Sequence, residues 1–259
     1  MEGAVASAAT IHRSPALHSL FSGASLSPPP RRRRCFSPGA TVTGSLSSEL
    51  KEIRVCTNRT CRKQGSLQTL ETLSGLAPAD VTVKTCGCLG RCGSGPNLAL
   101  LPEGVIVSHI GTAARASRIL CDTDDLLLRS LEALALKKRA DSELDRRNFS
   151  DAEALLTQAI NSKPVGGIHV MYKDRSVARL GMTDYDGALE DAREATNLAP
   201  NYTEGYICEG DAFLAMEQFD KAEKSYSICL EIDPTIRRTI SFKARTEKLR
   251  EKLTAANLA

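Results

Sequence analysis

One set of five residues occurs three times with identical internal offsets. Phe149, Ala152, Leu156, Ala159 and Pro164 align with Tyr185, Ala188, Ala192, Ala195 and Pro200, and again with Phe219, Ala222, Tyr226, Cys229 and Pro234. The sets lie 36 and then 34 residues apart, the extra two being absorbed by Val165-Gly166-Gly167. A fixed period of this size marks a stack of identical supersecondary units. Apolar and small residues at helical spacing predict one helix per set, ended by its proline. A weaker partner pattern precedes each: Leu136 and Ala140, Tyr172 and Ser176, Tyr206 and Gly210. Small residues at Ala140, Ser176 and Gly210, facing Ala152, Ala188 and Ala222, let the two helices of a unit approach closely. A single pair cannot bury its apolar face, so three pairs stack, and Thr239–Leu253 with its Lys/Arg/Glu-rich face suits a capping helix.

This pattern resembles the tetratricopeptide-repeat family over residues 124–259, with repeats at about 133–166, 169–202 and 203–236. The resemblance implies an all-α superhelix whose concave groove holds a peptide or another protein. Many three-repeat members resemble chaperone adaptors, whose basic clamp grips a C-terminal carboxylate with Lys, Asn, Asn, Lys and Arg. The matching positions here are Lys137, Asp141, Asp174, Glu204 and Cys208. Only Lys137 fits. A carboxylate would meet three acids, each close like-charge pair costing on the order of 1 kcal/mol or more at an effective dielectric of ~20. The expected ligand is therefore a protein segment carrying Lys or Arg, favoured by these acids and by Asp211. The bland alternative is that they are solvated helix surface.

Ahead of the repeats, residues 50–121 read as a small α/β domain. Glu52–Cys56 alternates as a strand, and Thr60 caps a helix running to about Leu76 with Leu67, Leu70, Leu73 and Leu76 on one face. Val81–Lys84, Asn97–Leu101 and Val105–His109 are further strands, and Thr112–Leu120 is a closing helix. Four cysteines punctuate this pattern as Cys56-x4-Cys61 and Cys88-x3-Cys92. Cys61 falls in a first helical turn, where the macrodipole lowers a thiol pKa. Cys88 and Cys92 lie in a glycine loop able to offer N–H groups to sulfur. Arg59, Arg62, Lys63, Lys84 and Arg91 surround them. Four thiolates suit an iron–sulfur cluster. They also suit four-thiolate zinc, although zinc more often uses two-residue knuckles. Metal-free thiols or a regulatory disulfide remain the third reading. Cys86 adds a further thiol, to be read as core, spare ligand or redox partner.

The strings Val55-Cys56-Thr57-Asn58-Arg59-Thr60-Cys61, Cys88-Leu89-Gly90-Arg91-Cys92 and Gly95-Pro96-Asn97 resemble the thioredoxin-like [2Fe-2S] ferredoxin family. That resemblance covers about 70 residues. It implies a thioredoxin-like fold and a [2Fe-2S] cluster with Cys56, Cys61, Cys88 and Cys92 as ligands. It also draws attention to Pro96, where such folds often place a cis proline.

Residues 1–48 are rich in Ser, Ala, Pro and Arg, with five arginines against Glu2. The whole chain carries +3, so the remainder is near −1. Charge thus offers no argument for nucleic-acid binding. The basic, acid-poor start has the composition of a disordered organelle transit peptide; the bland alternative is a disordered basic arm that binds acidic surfaces. Its Ser/Ala richness favours the chloroplast, stroma or stromal side of the thylakoid, with the mitochondrion as alternative. No apolar run reaches the ~18–20 residues that span a bilayer, which leaves only peripheral association through a membrane complex. No Ser/His/Asp set, phosphate loop or paired-carboxylate motif emerges. The expected protein is an electron-transfer or redox-sensing adaptor, not a stand-alone enzyme. The alternative is a pure scaffold whose head is structural or thiol-based.

Overall fold

The repeated residues start and stop the helices they predict. The computed structural model describes residues 50–258. Helices α5 (Phe149–Asn161), α7 (Tyr185–Leu198) and α9 (Phe219–Ile232) each begin at the aromatic residue of the repeat. Their partners are α4 (Asp124–Asp145), α6 (Ile168–Gly181) and α8 (Thr203–Ala215), and α10 (Ile240–Leu258) follows as the cap. Ala152, Ala188 and Ala222 are fully buried, as are Ala140 and Ala159. Ser176 takes the close-packing position of its repeat and donates its hydroxyl to Ala188 O at 2.7 Å. At Gly210 the Tyr226 ring fills the space a side chain would need, with Cδ1 2.6 Å from where a Cβ would stand. The stack is a helical superhelix of tetratricopeptide type.

Charge as well as apolar packing joins the first two repeats. Arg175 donates to both oxygens of Asp191 at 2.9 and 2.7 Å and to Thr157 at 3.0 Å. Arg179 bridges Glu153 at 3.2 Å and Asp191 at 3.1 Å. Asp191 is 2% exposed, and its burial raises the carboxyl pKa against the opposing pull of two guanidinium partners.

The N-terminal head is a four-stranded sheet with helices. Its elements are β1 (Glu52–Cys56), α1 (Arg59–Lys63), α2 (Ser66–Leu76), β2 (Thr82–Cys86), β3 (Leu98–Leu101), β4 (Val105–Val107) and α3 (Ala113–Ser117). The strand order is β2-β1-β3-β4. β1 runs parallel to β2 and antiparallel to β3, and β3 is antiparallel to β4. Ile53, Val55, Leu73, Leu76 and Leu98 form the buried core.

Several local expectations shift. The helix expected over Thr60–Leu76 is two helices, because Gly65 takes φ 96° between them. Asn58, not Thr60, caps the first, accepting from Arg59 N–H at 2.6 Å. Leu67 faces out at 49% exposure while Leu73 and Leu76 are buried. His109, expected in a strand, has φ 62° and lies beyond β4. Gly95–Pro96 is cis, and so is Leu101–Pro102.

The head packs against the first repeats. Leu134 of α4 belongs to the head core, and Lys138 pairs with Glu71 at 2.8 Å. The residues inserted between repeats serve this joint. Gly167 N–H donates to Ala77 O at 3.0 Å, and Val165 packs against the head core while its N–H donates to Ser130 Oγ of α4 at 3.0 Å. A Cβ on Gly166 would stand 2.5 Å from Leu76 O and from Pro78 N, and Gly167 has φ 72°. Two glycines are needed because backbone meets backbone here, and one is left-handed. Residues 1–48, where the sequence predicts a transit segment, lie outside the described residues. Among the described residues no helix is long and apolar enough to cross a membrane.

Candidate functional site

Two regions gather the sequence-predicted residues. The first is the end of the head sheet. β1 delivers Cys56 and the short helix α1 delivers Cys61, both 1% exposed. β2 ends at Cys86, which stands opposite Cys56 in the parallel register. The loop after β2 carries Cys88, and a short 3-10 turn, Cys92–Ser94, carries Cys92. Cys88 Sγ lies 3.3 Å from Cys92 Sγ, and Gly90 N–H points at Cys88 Sγ at 3.4 Å. Asn97 ties the buried pair to the exposed loop. Its amide nitrogen donates to Cys61 Sγ at 3.6 Å and to Arg91 O at 2.7 Å. The Gly-Pro-Asn string pointed at this residue without revealing its role.

The thiols differ electrostatically. Cys61 was expected to have a lowered pKa. Burial, with Cys56 beside it, raises it instead, and α1 is only five residues long. Burial raises Cys86 as well. The Gly90 N–H lowers Cys88. The neighbouring Cys88 pushes Cys92 up. Of the four candidate sulfurs, Cys88 and Cys92 form a close pair at the surface, and Asn97 links the buried Cys61 to the loop between them. Among the described residues no three or more of His, Cys, Asp and Glu are grouped to hold a metal ion. The donor set fits iron in its chemistry: thiols, N–H donors aimed at sulfur, and no carboxylate between residues 53 and 70 or 84 and 102. Arg59, Arg62, Lys63, Lys84 and Arg91 are exposed around it.

The second region is the face built by α4, α6 and α8. Lys137 Nζ contacts both oxygens of Asp141 at 2.9 and 2.8 Å and reaches Asp174 Oδ2 at 3.1 Å. Lys173 holds the other Asp174 oxygen. Burial works against the Lys137 ammonium, but Asp174 and Asp141 outweigh it and the pKa rises. Lys173 behaves alike, raised by Asp174 against its burial. Asp174 is 5% exposed and Cys208 7%. Burial pushes the Cys208 thiol up to about 12. Glu204 is exposed, and among the described residues it has no ion-pair partner. Further along, Asp211 accepts from Arg245 at 2.8 Å and from the Tyr226 hydroxyl at 2.6 Å. Lys173 and Arg245 join this face although the clamp positions do not include them. The 36-residue offset between the first two repeats carries Lys137 onto Lys173, which marks that position in the sequence.

No family model matches the chain. A "Protein STIP1 homolog" from Dictyostelium discoideum is 32% identical over 104 residues, 40% of this chain and 18% of the relative. "Heat shock protein STI1" from Saccharomyces cerevisiae is 31% identical over 104 residues, again 40% and 18%. The chain thus spans less than a fifth of either relative. Among solved structures, the Sgt2 TPR domain from Aspergillus fumigatus is 25% identical, covering 49% of this chain and 83% of that one with a TM-score of 0.45. Two further relatives carry tetratricopeptide-repeat names, one from Mus musculus at 26% identity and one from Saccharomyces cerevisiae at 29%, in keeping with the helical repeats of this chain.

Proposed function

We propose that this protein is an adaptor whose repeat groove binds a basic segment of a client protein. The observation that carries this is the state of the groove charges. Lys137 and Lys173 are sunken and already neutralised by Asp174 and Asp141, while Glu204 stands exposed without an ion pair. A further relative, from Plasmodium falciparum, is named "Hsp70-Hsp90 organising protein", and the carboxylate-gripping role is the reading this groove is set against. An acidic C-terminus would meet Glu204 and Asp141, with Lys137 and Lys173 already engaged by carboxylates. Fluorescence titration tests this with the Hsp90 peptide SRMEEVD and a copy with both glutamates changed to lysine and an amidated C-terminus. The amidated basic peptide should bind more tightly, and Glu204→Lys should reverse the order. Tighter binding of SRMEEVD would favour a chaperone adaptor.

A second reading concerns the head. The strand order and directions support a thioredoxin-like domain, and the Cys88–Cys92 pair with N–H donors aimed at sulfur supports a [2Fe-2S] cluster. Cys56, Cys61, Cys88 and Cys92 would hold it, and the cluster would supply one-electron transfer. The chain's own residues would direct N–H groups from Gly90 and Asn97 at sulfur and keep carboxylates away. Iron and sulfide analysis after anaerobic reconstitution tests this. Cys88→Ser should lose iron, and Cys86→Ser should retain it. Loss on Cys86→Ser alone would overturn the ligand set. The Ser/Ala/Arg-rich start supports a chloroplast address, checked by import into isolated plastids.

A further inference from the structure

The candidate ligands divide by accessibility. Cys56 and Cys61 are buried, whereas Cys88 and Cys92 are exposed. The exposed sulfurs are 3.3 Å apart. A disulfide places its sulfurs about 2.05 Å apart, so closing this pair takes a movement of roughly 1 Å. The loop leaves room for it. At Gly87, Gly90 and Gly93 nothing lies within 4 Å of where a Cβ would stand. Cys86 is the competing thiol, but it is half-buried and its backbone is held in β2 opposite Cys56.

We propose that Cys88 and Cys92 form a thiol–disulfide modification site that takes a low-molecular-weight disulfide such as glutathione disulfide. The Cys88 thiolate attacks one glutathione sulfur, making a mixed disulfide and releasing one glutathione thiolate. Cys92 gives its proton to solvent and attacks Cys88 Sγ, which forms the protein disulfide and releases the second thiolate. The chain is oxidised by two electrons and loses two hydrogens, and one glutathione disulfide becomes two glutathiones. The bridge takes two thiols out of the set that would bind iron, so the bridged chain and the cluster-bearing chain exclude each other.

Trypsin offers a direct readout because Arg91 lies between the two cysteines. The full, iron-free chain is reduced, desalted, treated anaerobically with glutathione disulfide, alkylated and digested. Fragments Thr85–Arg91 and Cys92–Arg115 should stay joined and part on reduction. The bridge should persist in Cys86→Ser and vanish in Cys88→Ser. In Cys92→Ser a glutathione adduct should remain on Cys88. Separate fragments from the wild-type chain, a stable adduct on its Cys88, or a bridge lost in Cys86→Ser would each overturn the proposal. The wild-type digest decides even where a variant fails to fold. A bridge in a chain that takes no iron when reduced would sink the cluster reading and leave this one standing.

Discussion

At the cysteine end of the head, Arg59, Arg62 and Arg91 are exposed, and among the described residues they make no ion pair. In the groove, Lys137, Lys173 and Arg245 are each held by a carboxylate, and the exposed charge is Glu204. Residue counts alone would give both regions a mixture of charge. Pairing decides what a partner meets. The head offers cations around sulfur, and the groove offers acid over neutralised lysines. The thiols follow the same division. Cys88 and Cys92 are open at the head, whereas Cys208 is sealed in the groove wall with its pKa pushed up to about 12.

The comparison is broken most severely through the charge network of the repeats. Asp191→Ala removes the carboxylate shared by Arg175 and Arg179 and leaves Arg175 nearly buried without its counter-charge. A loss of about 3–5 kcal/mol is expected in urea unfolding. In the head, Leu73→Ala opens a fully buried site and should cost about 2–5 kcal/mol. Because Leu134 of α4 sits in that same core, sheet and helix signals should be lost in one transition. Two separated transitions would show the head to be independently folded.

Gly167→Ala attacks the joint itself. Its φ of 72° alone costs about 1–2 kcal/mol for a residue with a Cβ, and the Gly75 carbonyl adds a clash. Limited proteolysis between head and repeats should accelerate. Alkaline pH sharpens the thiol contrast. The Cys208 pKa is raised from 9.0 to about 12 in the folded chain. Its contribution is therefore present below pH 9 and is lost as pH rises toward 12, since the unfolded thiol ionises first. Thermal denaturation should show that loss, reduced in Cys208→Ala. Smallest of all, Glu204→Lys should leave stability within about 0.5 kcal/mol while altering which peptide the groove prefers.

Much of this architecture was legible in the residues. Phe149, Tyr185 and Phe219 open their helices where the repeat predicts, because one steric solution is used three times and each copy reports on the others. The head has no such redundancy. Gly65 breaks a helix that the leucine spacing carried through, and His109 turns left-handed where apolar alternation ran on. In the groove, spacing located Lys137, Asp141, Asp174, Glu204 and Cys208 along their helices, but it does not measure depth. That Asp174 is locked between Lys137 and Lys173, and that Cys208 is sealed, depends on neighbours from other helices. The roles of Gly166 and Gly167 likewise arise only where the repeats meet the Ala77 backbone.

The sign of the groove is tested most directly by titrating the full chain with SRMEEVD and its amidated lysine-swapped counterpart across a range of salt. The basic peptide should bind more tightly, with an affinity that salt weakens and Glu204→Lys inverts. Tighter, carboxylate-dependent binding of SRMEEVD would overturn the acidic reading of the groove.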